Sequence, residues 1–257
     1  MPTKLCDRMQ LGIIIFSLTF TVLILPSIAA SDSAGNIFKK ASALYMEGKY
    51  DDALKQYDSL LKEGYESGNL YYNMANCYIK KSNIGYAILY YEKAKRLIPS
   101  DADLRANHDY AVSLTKNRQT ATVQSWINRQ LDRVYNLFTT NGLTIFLSLL
   151  YTLITTVLTI SIYNEKAKKY AGLIILTAAL LLLPSSYILY ERISSTEAVV
   201  VNEKAEARYE PFDKATVFFT LYEGMKVVVI DRNNHWLKVK RSDGKTGWIH
   251  NDSIGVI

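Results

Sequence analysis

The chain of 257 residues is short of the side chains that usually carry chemistry. It has three histidines (His108, His235 and His250), two cysteines (Cys6 and Cys77) and five prolines. No histidine sits in a metal-ligand spacing, a nucleophile elbow or a phosphate loop. Without a partner constellation there is no expectation of an enzyme, a metal or a cofactor. Cys6 precedes the first apolar run and is expected to be lost on processing. A single remaining cysteine cannot form an intramolecular disulfide, so Cys77 reads as a small buried hydrophobe. The net charge of +6 comes from 30 basic and 24 acidic residues spread along the chain. No dense Lys/Arg block marks a nucleic-acid surface.

Charge is missing altogether from two long runs, Leu143–Tyr163 and Ala171–Tyr190. Each has the length of about 20 residues that a helix needs to cross the hydrocarbon of a bilayer. Both are apolar all round, which a core helix of a small soluble domain is not. Pro184 lies inside the second run, where a membrane helix can accommodate it. Tyr163 and Tyr190 stand at the predicted ends, as interface anchors. The polar loop 164–170 between the runs is short enough to force a helical hairpin. The parts before and after it then share one side of the membrane.

The first 30 residues read as a signal peptide. Lys4 and Arg8 form a basic n-region, Leu11–Leu25 an apolar h-region, and Pro26–Ser31 offers cleavage after Ala29 or Ala30. An uncleaved anchor is the alternative. Either way residue 31 onward lies across the membrane, and by parity the 164–170 loop is cytoplasmic. Lys166, Lys168 and Lys169 in that loop agree with the positive-inside bias.

Residues 31–117 carry an internal repeat. Ala41 and Ala75, Leu44 and Tyr78, Ala53 and Ala87, and Tyr57 and Tyr91 are each 34 apart. A period of 34 is the tetratricopeptide length. The second unit runs Tyr71–Tyr78, then Ala87–Ala94, then Pro99, with small residues at 75, 87 and 94 for close helix packing. The first unit, Phe38–Tyr65, is looser, with Gly48–Ala53 forming its turn and second helix start. This strongly resembles the tetratricopeptide consensus. Ser100–Asp103 then caps a further helix with apolar positions Leu104, His108, Ala111 and Leu114, read as the end cap such arrays require. By the resemblance, Lys39, Ser42, Tyr45, Tyr72, Asn73, Asn76 and Lys80 line or rim a concave groove. Asparagines at the positions of Asn73 and Asn76 often bind a peptide backbone or terminal carboxylate in that family. The family's basic residue is replaced here by Phe38, which argues against terminal-carboxylate capture. The packing pattern itself uses Tyr71, Ala75 and Tyr78 and does not require Asn73 or Asn76.

Between the repeats and the first apolar run, residues 118–142 read as an amphipathic juxtamembrane helix. Val123, Trp126, Ile127, Leu131, Val134, Leu137 and Phe138 recur at helical spacing.

From residue 195 to 257 the pattern switches to strands. Ala198–Val201, Gly224–Ile230, Trp236–Lys240, Thr246–His250 and Ile254–Ile257 are the predicted strands, with turns at Asn233-Asn234 and Asp243-Gly244. The stretch from Leu221-Tyr222-Glu223-Gly224 through Trp236, Asp243-Gly244 and Gly247-Trp248-Ile249 resembles a bacterial SH3 domain. The resemblance implies a small barrel, with Tyr222, Trp236 and Trp248 in its core or at its groove edge. Bacterial relatives often bind cell-wall or protein ligands.

The expected architecture is therefore all-α tetratricopeptide (TPR) helical repeats, a transmembrane hairpin (143–163 and 171–190) and an all-β SH3-like barrel. That order resembles the BatE-type proteins of the Bacteroides aerotolerance operon. The resemblance implies a non-enzymatic scaffold at the periplasmic face of the inner membrane. Its implied partners are von Willebrand factor A domain proteins and a MoxR-type ATPase system, in aerotolerance or envelope stress. A cell-wall sensor whose barrel binds peptidoglycan is the other reading.

Overall fold

The computed structural model describes residues 32–115, 139–163, 165–194 and 196–257. The signal-peptide reading and most of the 118–142 amphipathic stretch fall outside these residues.

Five helices open the described chain: α1 (Asp32–Met46), α2 (Tyr50–Lys62), α3 (Gly68–Lys80), α4 (Ile84–Leu97) and α5 (Ala102–Leu114). Three of them, α3, α4 and α5, start on capping side chains. Ser67, Asn83 and Asp101 each accept from the backbone N–H three residues on, of Leu70, Tyr86 and Leu104, which satisfies one orphan donor per helix. Ile98 ends α4 just before Pro99. The 34-residue period is visible in the backbone. Gly48 (φ 76°) and Ser82 (φ 57°) occupy the same left-handed turn position in successive helical hairpins. The contacts repeat as well: Ser42–Tyr57 and Asn76–Tyr91 hydroxyl bonds, and Phe38–Tyr57 and Tyr72–Tyr91 ring pairs at 5.7 and 6.0 Å. Among the predicted apolar positions of α5, Leu104 and Ala111 are buried and His108 nearly so, whereas Leu114 is 43% exposed.

Two long helices follow, α6 (Thr140–Tyr163) and α7 (Glu165–Ser194), and they pack against each other. Within them Asn141–Ser161 and Gly172–Tyr190 are long and apolar enough to cross a membrane. The predicted loop 164–170 is corrected: residues 165–170 are helical. Lys166, Ala167, Lys168 and Lys169 are strong helix formers, and Glu165 suits a helix N-terminus. Pro184 sits inside α7 without ending it.

Seven strands complete the chain: β1 (Thr196–Val200), β2 (Lys204–Arg208), β3 (Val217–Tyr222), β4 (Lys226–Asn233), β5 (Trp236–Lys240), β6 (Thr246–His250) and β7 (Ile254–Val256). They form one antiparallel sheet in the order β3-β2-β6-β5-β4-β1-β7. Gly244 (φ 87°) and Asn234 (φ 51°) make the two predicted turns. Strands β2 and β3 are absent from the sequence-based reading. The alternation in β2 rests on Ala205 and Ala207, both poor strand formers, between charged neighbours. The apolar interior comprises Ala198, Val200, Ala205, Ala207, Phe219, Leu221, Val227, Leu237, Val239, Ile249 and Ile254.

Strand β1 is buried on both faces. Ala198 and Val200 point into the barrel, while Val199 and Val201 belong to the core of the helical unit. A strand covered on both sides needs a continuous apolar run, which is what Ala198–Val201 is. The barrel therefore packs on α4 through β1 and β7.

Candidate functional site

Two surfaces and the junction between them hold the candidate residues. On the helical unit, Lys39 and Lys80 are exposed, and Ser42, Tyr45, Tyr72, Asn73 and Asn76 are half-buried. All seven lie on α1 or α3, the first helices of the two hairpins. Several are already tied into the fold. Ser42 Oγ donates to the Phe38 carbonyl and stands 3.1 Å from the Tyr57 hydroxyl. Asn73 lies beside that same hydroxyl. Tyr91 donates to Asn76 Oδ1 at 2.5 Å, so Asn76 does take part in packing, contrary to the sequence-based expectation. The oxygen of Asn76 is engaged, and its amide nitrogen remains as a donor to a ligand. Asn107 Nδ2 donates to the Tyr72 hydroxyl at 2.6 Å. Asn107 was not among the predicted residues; its place 34 positions after Asn73 is the signal that finds it. Burial raises the Tyr45, Tyr57 and Tyr91 hydroxyls above the ordinary tyrosine range, so they remain neutral donors. Cys77 is fully buried, and burial pushes its thiol up to about 12, which makes it inert.

On the barrel, Trp236 is 8% exposed, yet it lies outside the interior cluster. Its neighbours Leu237 and Val239 point inward, so alternation turns Trp236 outward. The ring of His250 covers it at a centroid distance of 4.1 Å, and Asp213 holds His250 Nε2 at 3.0 Å. Trp248 is half-buried, with Lys238 Nζ 5.7 Å from its ring centre. Tyr222 is partly exposed at the end of β3. A further aromatic pair is formed by Tyr209 and Phe218, whose ring centres are 4.5 Å apart with planes tilted by 30°, and both are exposed.

The junction is the part that sequence reasoning did not find. Glu92 of α4 is 7% exposed. Its Oε1 lies 3.0 Å from His108 Nε2 of α5, and its Oε2 lies 3.2 Å from Lys226 Nζ of β4. Lys226 also reaches Glu197 of β1 at 3.6 Å, and Glu197 meets Arg96 of α4 at 3.3 Å. Arg96 donates further to the Ile257 carbonyl at 2.7 Å. The Gly85 N–H, in the first turn of α4, donates to Glu223 Oε1 at 2.6 Å. Burial by itself would raise the Glu92 carboxyl. The close His108 imidazole and the charges of Lys226 and Lys95 outweigh it and hold the group well below the usual carboxylate range. Burial would lower Lys226, but Glu92 and Glu197 hold it above the ordinary lysine value. Contacts here are close. A Cβ on Gly85 would lie 2.7 Å from the Val201 carbonyl oxygen, and one on Gly255 would collide with Leu89 Cδ2.

No curated protein sequence matches the chain. Among solved structures, NlpC2 from Trichomonas vaginalis is 19% identical, with a TM-score of 0.23 and coverage of 25% of each chain. The C-terminal SH3 domain of myosin IB from Entamoeba histolytica is 20% identical, with a TM-score of 0.16, over 21% of this chain and 90% of that one. Residues 208–255 match the family model of the bacterial SH3 domain, within a barrel that the structure begins at Thr196.

Proposed function

We propose that the protein is a non-enzymatic, membrane-anchored scaffold that binds protein partners through tetratricopeptide-like repeats and an SH3-like barrel. The observation that carries this reading is the repetition, at 34 residues, of the same turns and the same tyrosine bonds in α1–α4. It leaves Lys39, Asn73, Asn76 and Lys80 on the first helix of each hairpin. Amide and ammonium groups in that arrangement suit an extended polypeptide. Helices α6 and α7 supply the anchor, with spans at Asn141–Ser161 and Gly172–Tyr190. Packing of the barrel on the repeats adds support for a hairpin. Because β1 shares the core of α4, the chain must leave the helical unit and return to the same side. With the signal-like N-terminus, that side is the periplasm. By its resemblance to BatE-type proteins, the scaffold serves an aerotolerance or envelope-stress complex with von Willebrand factor A domain partners.

The test is a pull-down from detergent-solubilised membranes with Lys39→Glu/Lys80→Glu. Both side chains are exposed, so the variant folds and inserts normally. Loss of the parent's protein partners supports the groove; full retention removes it. A cell-wall ligand is the second reading, favoured by the match to the bacterial SH3 domain and the exposed Tyr209 and Phe218 beside Trp248. Sedimentation of the protein with purified peptidoglycan, unaffected by the groove variant, would favour it.

A further inference from the structure

The chain passes from α7 into the barrel with almost no slack. Helix α7 ends at Ser194 and β1 begins at Thr196, and the apolar span within α7 ends at Tyr190. Four further helical residues rise about 6 Å, and the two Cα steps from Ser194 to Thr196 add at most about 7.6 Å. Thr196 therefore lies within about 14 Å of the end of the span. A headgroup layer of about 5–8 Å takes up much of that height.

One end of the sheet extends back past this point. Thr196 pairs with Val229 of the antiparallel β4. Beyond Val229, β4 continues past the start of β1, on the side from which the chain arrives, for four residues to Asn233. At about 3.3 Å per residue that overhang is about 13 Å, comparable to the tether. Asn233 pairs with Trp236, and Trp236 with His250. Asp213 holds His250 Nε2 at 3.0 Å, which brings its chain neighbour Phe212 to the same end. The six residues from Ile230 to His235 are all exposed. Ile230 stands in the bulge between the Val229–Val239 and Asp231–Lys238 pairs and is 49% exposed; Phe212 is 48% exposed. Bulges re-aim side chains, and here an aliphatic side chain is left in the open. The nearby charges balance, Asp213 and Asp231 against Lys214 and Arg232.

We propose that this end of the barrel, the β4–β5 hairpin with Phe212, rests on the bilayer that holds α6 and α7. In this arrangement β1 carries the chain away from the bilayer and the overhang of β4 leads back to it. Ile230 and Phe212 reach the boundary between headgroups and acyl chains, where apolar and aromatic side chains anchor. Arg232 lays its stem along them and keeps its charge among the headgroups. Because the local charges cancel, a zwitterionic lipid surface suffices. The contact fixes the barrel, and the repeats joined to it, at one height above the membrane. The inference rests on α6 and α7 crossing the bilayer, as proposed above, and uses neither the groove nor its partners.

The experiment places the full chain in phosphatidylcholine vesicles. Ile230→Cys and, beyond the far end of β5, Ser242→Cys each carry a nitrobenzoxadiazole label. Both positions are exposed, so neither change disturbs the core; the parent, whose Cys77 is buried, gives the background. The label at 230 should emit at shorter wavelength, lose most of its emission to phosphatidylcholine bearing a shallow doxyl group, and resist aqueous iodide. The label at 242 should behave in the opposite way. Equal access of iodide to 230 and 242 would overturn the proposal. So would a label at 230 that is shielded from iodide yet untouched by the doxyl lipid, which means that protein, such as a second copy, covers it. An alkaline carbonate wash separates the two readings. Release of the chain from the vesicles would sink the spans and this inference together; a retained chain with 230 open to iodide would sink this inference alone.

Discussion

Removing a carboxylate of Glu92's depth from water costs several kcal/mol unless charges and hydrogen bonds offset it. The offset here comes from two other elements, His108 on α5 and Lys226 on β4. Lys226→Ala would leave Glu92 with His108 as its one close partner among the described residues and with only the more distant charge of Lys95. We expect a loss of about 1–2 kcal/mol, below the 3–5 of a fully buried pair because the ammonium is partly exposed; a thermal melt of the purified protein measures it. The pair also sets a pH window. The lowered Glu92 contributes stability above the ordinary glutamate pKa of about 4.3, lost as pH falls through its value in the folded protein. The raised Lys226 contributes below the ordinary lysine value of about 10.4, lost as pH rises through its folded value. The melting temperature of Glu92→Gln should therefore fall less than the parent's between pH 5 and pH 3. Trp236 makes a second residue-scale case. Truncating a buried tryptophan costs about 3 kcal/mol or more, so Trp236→Ala should lower the melting temperature far more than His250→Ala, which removes only its half-exposed cover. Equal effects would make the His250 stack the main contribution. Neither Glu92 nor Lys226 was legible in the sequence. Glu92 sits between Tyr91 and Lys93 in a segment that already satisfies the repeat pattern, and its partners lie 16 and 134 residues away.

Elements read well wherever the pattern was local. The capped helices, the 34-residue period, the Asp243-Gly244 turn and the two apolar runs all follow from neighbours within one turn or one repeat. Strands β2 and β3 did not, because small alanines face the interior of β2 and β3 lacks alternation at its start. Strand β1 was found, but the reason for its unbroken apolar run was not: its second face belongs to a helix more than 100 residues earlier. The turn at Ser82 gives a prediction at this scale. Ser82 holds φ 57° where the first hairpin has Gly48. A left-handed conformation costs a side-chain-bearing residue about 1–2 kcal/mol, partly balanced by the greater freedom of glycine in the unfolded chain. Ser82→Gly should stabilise the protein by about 0.5 kcal/mol, and Gly48→Ser should destabilise it, in chemical denaturation.

At the scale of the whole molecule, helical unit and barrel read as successive modules in the sequence, and the structure joins them through Val199 and Val201, which belong to the helical core. That joining constrains what lies between them. Residues 115 and 196 both belong to the joined unit, with α6 and α7 between, so the chain crosses an even number of times if it crosses at all. Order of modules was legible in the sequence because each has its own periodicity; contact between them was not, because no periodicity reports a long-range ion pair. Scaffold, anchor and groove all rest on this arrangement, and reporter fusions test it most directly. Alkaline phosphatase, active only when exported, is fused after residues 117, 167 and 257 in turn. Our account predicts activity at 117 and 257 and none at 167. Activity at 117 without activity at 257 would contradict it, since the repeats and the barrel could not then meet.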